Sequence, residues 1–479
     1  MKHHYDTTPE QAEPTLSQMG TWPVSLFHLH ARLAPRFARS EPRRRALRYL
    51  HAVISDIPRK NGWQIAEHAK ELRPYGMQRL LSQAVWDHDG VRDDLRSFLC
   101  QALSPPALSA EPPEPAAPLP VLVMDESGFP KRGRHSAGVQ PQYCGSTGRI
   151  ENCQVGVFLS YVTAQGHGLI DRELYLPQEW CDDPARRLAA HIPEAVTFQT
   201  KPELAQRMLE RAQAAGLPID WVVADTIYGH CPELRAFLQA QGYAYALAVP
   251  SIEVICVQTP QGCLLNSVAR IAELALGPAD WQQLSQSLGT KGERLFDWAI
   301  LPWFQGGGVD GRHFLVVRRC LDDPNELAYY LVFAPLDTTL PTIVQAIGAR
   351  WRIEEDLQTG KDLGLDQYEV RSYLGWYRHL TLVMLAAAFL VSIAVHENRP
   401  RAAPSPTSVA VPAPTVIALT TREVRHLLAR LIWPAPTSAA LICQWSWWRR
   451  AHQYWAGYYH RRRRQKVGSA LHSAAAGVA

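Results

Sequence analysis

Apolar residues recur at helical spacing in the first hundred residues. In "RRRALRYLHAVISDI" the repeat is Leu47, Leu50, Val53, Ile54 and Ile57, which predicts an amphipathic helix. "GWQIAEHA" and "GMQRLLSQAVWD" predict two shorter helices. The pattern changes after residue 120. "LPVLVMD" is a short apolar run ending in Asp125. "CQVGVFLSYVT" and "GLIDRELYLP" flank "AQGH" and predict a hairpin. "KPELAQRMLERAQAAG" returns to helical spacing and Gly216 closes it; "IDWVVAD" is a second buried-strand run ending in Asp225; "CPELRAFLQAQG" predicts a helix and "YAYALAVP" a strand. Strand, hairpin, helix, strand, helix, strand is the order of a mixed α/β sheet. "HFLVVRRC" and "LAYYLVFAP" around "LDDPNE" predict a further hairpin, so 250–335 reads as a β-rich insertion. From "PTIVQAIGARWRIEED" onward the spacing is helical again.

Two Pro/Ala-rich stretches, 104–120 and 398–415, read as linkers. They divide the chain into an N-terminal helical segment (1–103), suited to DNA binding, an α/β region (121–397) and a C-terminal helical segment (416–479). The longest apolar stretch, 380–395, has sixteen residues, short of a membrane span, and predicts a buried core helix. Nine Cys without a C-x-x-C pair exclude a zinc ribbon and fit reduced thiols in a cytoplasmic protein. The N-terminus has no apolar stretch of a signal peptide.

The net charge of +4 demands no polyanionic partner, but its distribution is uneven. Arg43, Arg44, Arg45 and Arg48 cluster near the start, and Arg461 to Arg464 near the end. In "QWSWWRRAHQYWAGYYHRRRRQK" aromatics interleave with cations, which suits base stacking and phosphate contact or, alternatively, a helix that packs its aromatics onto the protein.

Asp125 and Asp225 each end an apolar strand run, and functional groups of α/β sheets gather at the carboxyl ends of strands. On neighbouring strands they could share a divalent cation, and a third acid would complete a two-metal clamp on a phosphodiester. Either acid could instead be a turn or helix-cap residue. The third acid would come from "RWRIEEDLQTGK". On one continuous helix, Leu340, Val344, Ile347 and Trp351 form the apolar stripe, with Arg350, Glu354 and Lys361 beside it within about 40°. Glu355 lies about 100° from Glu354 and Asp356 about 200° away, toward solvent. Glu354 is thus either a ligand flanked by cations or one half of an i,i+4 ion pair with Arg350.

"RWRIEEDLQTGK" resembles the last catalytic motif of DDE transposases of the insertion-sequence-4-like superfamily, with Arg350, Glu354 and Lys361 at its spacing and Ile347 where the motif has Tyr. "VMDESGFPKRG", "YCGSTGRIENCQVGVFLSY", "VVADTIYG", "LGTKGERLFDWA" and "DQYEVRSYLGWYRHLTLVML" resemble, more narrowly, the insertion-sequence 701 family. The resemblance runs from about 40 to 397. It implies an RNase H-like catalytic core with a β-rich insertion, flanked by helical segments. It also implies catalytic, metal-binding Asp125, Asp225 and Glu354, and two Mg²⁺ ions (or Mn²⁺). The activity it implies is cleavage at transposon ends, then joining of the 3′-hydroxyls to target DNA. Arg350 and Lys361 would contact DNA phosphates, with Lys131 and Arg132 as further contacts and Trp298 or Trp303 as candidates to flip a base. The partners would be double-stranded DNA and a second copy of the chain, with no membrane, at the nucleoid of a bacterial cytoplasm. Two other readings fit fewer features. A domesticated DNA-binding protein would not need all three acids, and a small-molecule phosphohydrolase would not need basic clusters at both ends.

Overall fold

The computed structural model describes residues 16–104, 120–259, 262–289, 292–304, 311–399, 418–433 and 438–476. Both expected linkers lie almost wholly outside them. The strands are β1 (Val121–Pro130), β2 (Gln140–Cys144), β3 (Arg149–Thr163), β4 (Gly166–Tyr175), β5 (Trp221–Ala224) and β6 (Ala244–Val249) in the first half. β7 (Val254–Thr259), β8 (Gly262–Ser267), β9 (Gln282–Gly289), β10 (Gly292–Phe304), β11 (His313–Arg319) and β12 (Leu327–Phe333) follow.

One sheet holds all of them. Its path is β2-β3-β1-β5-β6-β12-β11-β10-β7-β8, with β4 on β3 and β9 on β10. Within it, β4-β3-β1-β5-β6 has β3 antiparallel to β1 and both β5 and β6 parallel to it. That order is the RNase H-like arrangement. Residues 250–335 are β-rich, carrying β7 to β12; most of a second, smaller hydrophobic cluster lies among them, and β12 pairs antiparallel with β6 and so continues the core sheet.

The helix Lys201–Ala214 covers one face. A Thr200–Glu203 capping box starts it, and Gly216, at φ +68°, lets the chain turn away after it. The apolar stretch at 380–395 lies in the helix Tyr373–Asn398, almost every residue of which is buried. It is the core helix expected, and against it pack the helices Ser40–Ile54 and His88–Leu103. The three N-terminal helices predicted from spacing are found as Ser40–Ile54, Gly62–His68 and Tyr75–Ser82. Their apolar faces join a single hydrophobic core with those of the sheet. The eight cysteines whose side chains are described are all free.

Candidate active site at the ends of the parallel strands

β1 and β5 run in parallel register from Val121 opposite Trp221 to Met124 opposite Ala224. The next residue on each is an Asp. After Ala224 the two strands part for a local reason. Asp225 caps the short helix Thr226–Gly229, its Oδ1 accepting from the Ile227 N–H at 3.1 Å. β1 does not stop at Asp125 as its apolar run predicts; β3 pairs with it through Pro130. Asp125 therefore sits inside a held strand whose neighbour has just peeled away, so its carboxylate faces the gap.

Asp125, Glu126 and Asp225 each place a carboxylate oxygen within 4.8 Å of the others. Glu126 is further fixed by Lys201, whose Nζ donates to Oε1 at 2.6 Å, and by the Tyr228 hydroxyl, which donates to Oε2 at 2.9 Å. Burial first, then the charge of Asp225, pushes the Asp125 carboxyl up to about 7, against the pull of Arg350. Asp225 is also raised, by burial and then by Glu126. Crowded, partly desolvated carboxylates with raised proton affinity are a donor set suited to a hard divalent cation, whose charge would relieve the repulsion.

Glu354 reaches this group indirectly. It lies in the first turn of the helix Trp351–Asp362, with its side chain 35% exposed. Arg350 donates from Nη2 to Glu354 Oε1 at 3.0 Å, while its Nη1 lies 3.7 Å from Asp125 Oδ2. The ion pair is formed, and the same guanidinium links Glu354 to the strand acids.

The helical-phase reading fails for two neighbours of Glu354. Asp356, expected in solvent, is buried, and Trp351, expected on the buried stripe, is 41% exposed. The stripe was drawn on one continuous helix, but the chain forms two, Leu340–Gly348 and Trp351–Asp362. At the junction the hydrogen bonds from Arg350 to Ile347 and from Arg352 to Ala349 span three residues, tightening the turn. The second helix buries Ile353, Asp356, Leu357 and Gly360 instead.

The remaining expected residues are spread around this centre. Lys361 lies in the last turn of the same helix, partly exposed. Arg132 is exposed. Lys131, in contrast, points inward. Its ammonium donates to the Tyr368 and Asp366 carbonyls at 3.1 and 3.4 Å and lies 3.8 Å from the Tyr368 ring centre. Burial lowers its pKa to about 8. In this conformation it is not presented to a phosphate. Trp298 and Trp303 are both buried, packed on Tyr330 and His313 respectively, so neither presents its ring to a base. Ile347, at the position where the family motif has Tyr, is buried in the main core.

Sequence reasoning missed Glu126, Tyr228 and Lys201. The signals were the adjacent acids in "MDES" and the Tyr in "DTIYG". Strand alternation assigns Glu126 to the face opposite Asp125, yet its carboxylate lies beside those of Asp125 and Asp225. It also missed a cleft of about 410 Å³ beside Asp225, walled by Gln286, Arg294, Arg318, Arg350 and Trp351. Arg294 lies over the Trp351 ring at 4.4 Å.

Residues 32–264 match a family described as DDE superfamily endonuclease. A "Probable transposase for insertion sequence element IS701" from Microchaete diplosiphon is 29% identical over 334 residues, which is 68% of this chain and 77% of that protein. A cryo-EM structure of the piggyBac transposase synaptic complex with hairpin DNA aligns with a TM-score of 0.41 at 12% identity, covering 85% of this chain and 76% of that one.

Proposed function

We propose that the chain is a DNA transposase of the DDE type, similar to that of insertion sequence 701, which cuts the ends of an insertion sequence and joins the freed 3′-hydroxyls to target DNA with Asp125, Asp225 and Glu354 as its acids. The observation that carries the reading is the convergence of Asp125 and Asp225 where two parallel strands part, with Glu354 tied to Asp125 through Arg350.

DDE enzymes depend on divalent metal, and Asp125, Asp225 and Glu354 would hold two Mg²⁺ ions, with Mn²⁺ as a substitute; the clustering of Asp125 and Asp225 supports this. Bound there, the ions would activate the attacking water or 3′-hydroxyl and steady the leaving oxygen. The protein's own groups do the rest. Asp125 and Asp225 are held by strand pairing and by a cap, so they need little reorganisation to take up a cation. Arg350 is their counter-ion. Asp125 and Glu354, on holding a cation, would release the Arg350 guanidinium to a phosphate. Arg294 and Arg318 give the adjoining cleft a positive wall that would seat the DNA backbone. Lys361 and Arg132 extend that surface. The partners are double-stranded DNA, as transposon end and as target, and a second copy of the chain, working at the nucleoid.

Asp125→Ala, Asp225→Ala and Glu354→Ala should each abolish Mg²⁺-dependent nicking of a plasmid that carries the element's ends, while gel-shift binding of those ends survives. Full nicking by Glu354→Ala would remove Glu354 from the site.

A further inference from the structure

Glu354 is poorly held by its own interactions. Its carboxylate is partly exposed, and the only side-chain partner described for it is Arg350. What fixes its position is therefore the depth and rotation of the helix Trp351–Asp362, and that helix is fastened at the two residues that follow.

His167, at the start of the edge strand β4, faces both. Its Nδ1 lies 2.8 Å from Asp356 Oδ1 and its Nε2 lies 3.2 Å from Glu355 Oε2. Carboxylates only accept, so Nδ1–H donates to Asp356, and the second carboxylate beside Nε2 favours the imidazolium form. Asp356 Oδ2 in turn accepts from the Ser160 hydroxyl on β3 at 2.5 Å, and Glu355 also takes Arg352 at 2.9 Å. The Asp356 side chain is only 6% exposed, so its charge rests on these two donors. The sheet is shaped for this arrangement. The β3–β4 register slips between Leu159 and Ser160, leaving an extra residue on β4 next to this pair. A bulge re-aims the side chains beside it. A Leu at 356 would bury as well beside Ile353 and Leu357, but apolar packing lets a helix rotate or slide. Two directional bonds to a buried carboxylate do not.

We propose that His167 is a positioning residue for the metal site: it bolts the helix that carries Glu354 to the core sheet through Asp356 and Glu355, and so sets where the Glu354 carboxylate stands relative to Asp125 and Asp225. The proposal rests on reading Glu354 as a cation ligand.

The test is Mn²⁺ binding by the full chain without DNA, read by electron paramagnetic resonance, alongside the thermal midpoint of each variant. Asn places its amide near the imidazole Nδ1 and can keep the bond to Asp356; Gln reaches toward the Nε2 position and loses it. His167→Gln should therefore weaken Mn²⁺ binding about tenfold or more, the usual cost of removing a group that orients a ligand. His167→Asn should stay within about threefold of wild type. Ser160→Ala, which removes only one bond to Asp356, should weaken binding in the same direction by less, and it carries the test if a His167 variant does not fold. A His167→Gln protein that melts lower but binds Mn²⁺ with unchanged affinity shows that His167 only stabilises the fold, and that result overturns the proposal. So would equal affinities for the Asn and Gln variants, or an unchanged Ser160→Ala. Wild-type protein that binds no Mn²⁺ overturns the cation site itself, a different failure.

Discussion

At the scale of one residue, Asp125 carries a cost to the fold. Its carboxyl is pushed up to about 7 by burial and by Asp225. A carboxylate whose pKa is raised in the folded state destabilises that state once pH exceeds its unfolded value. Asp125→Asn should therefore melt higher than wild type at pH 8 without divalent cation, by on the order of a few °C. It should also lose most of the rise in midpoint that Mg²⁺ gives wild type; calorimetry with and without Mg²⁺ measures both. His167 has the opposite sign. Although burial opposes its charge, Asp356 foremost and then Glu355 raise it from 6.5 to about 9. A raised histidine contributes stability that is complete below pH 6.5 and lost as pH rises through about 9. Urea midpoints should fall across that window in wild type and much less in His167→Gln. These residues were unequally legible. Helical phase set Glu354 apart from Glu355, and Glu354 is the one of the three acids linked to Asp125. Phase alone placed Asp356 in solvent because it could not foresee the tightened turn at Arg350, nor a histidine nearly two hundred residues earlier in the chain.

Elements with long apolar runs were readable, and their neighbours were not. β1, β3, β5, β6, β11 and β12 all appear as runs of buried residues. β9, "QQLSQSLG", has almost no apolar content; pairing with β10 makes it a strand. Pairing is also what carries β1 past Asp125. The turn that follows β5 shows how close packing fixes the site at this scale. Gly229 ends the helix that Asp225 caps and that carries Tyr228. A Cβ there would lie 1.9 Å from the Ala248 carbonyl oxygen of β6, a backbone atom that cannot swing aside. Gly229→Ala should cost about 1–3 kcal/mol, the usual range for overpacking, read as a lower urea midpoint. Because the shift pushes on the Asp225 cap, it should weaken Mn²⁺ binding as well. Unchanged affinity would mean that the turn relaxes away from Asp225.

At the scale of the whole molecule, the sequence suggested segments where the structure shows shared surfaces. Nothing local in 250–335 indicates that its strands extend the core sheet, since that follows from one long-range pairing, β12 on β6. The C-terminal helix Ala439–Ala476 settles in part a choice left open by its aromatics and cations. One face docks on the N-terminal helices. Trp445 is buried and donates to the Glu71 carbonyl at 3.0 Å, Trp448 packs edge-on against Trp63, and Arg449 pairs with Glu67 at 2.7 Å. Trp447, Tyr454 and Tyr458 lie within about 40° of one another on the opposite side. They are exposed, as are Arg450 and Arg462. The helix contains no Asp or Glu. Two such helices from two copies would bring like charges together, whereas DNA offers phosphates to the cations and bases to the rings. In the full chain, the triple change of Trp447, Tyr454 and Tyr458 to Ala should lower affinity for DNA with unpaired ends by roughly 1 kcal/mol or more per base stacked. Arg450→Gln with Arg462→Gln should flatten the salt dependence by about 0.9 in slope for each phosphate that is no longer neutralised. Fluorescence anisotropy across a salt series separates the two effects. Unchanged binding, together with a shift in oligomeric state on size exclusion, would instead assign this face to a second copy of the chain.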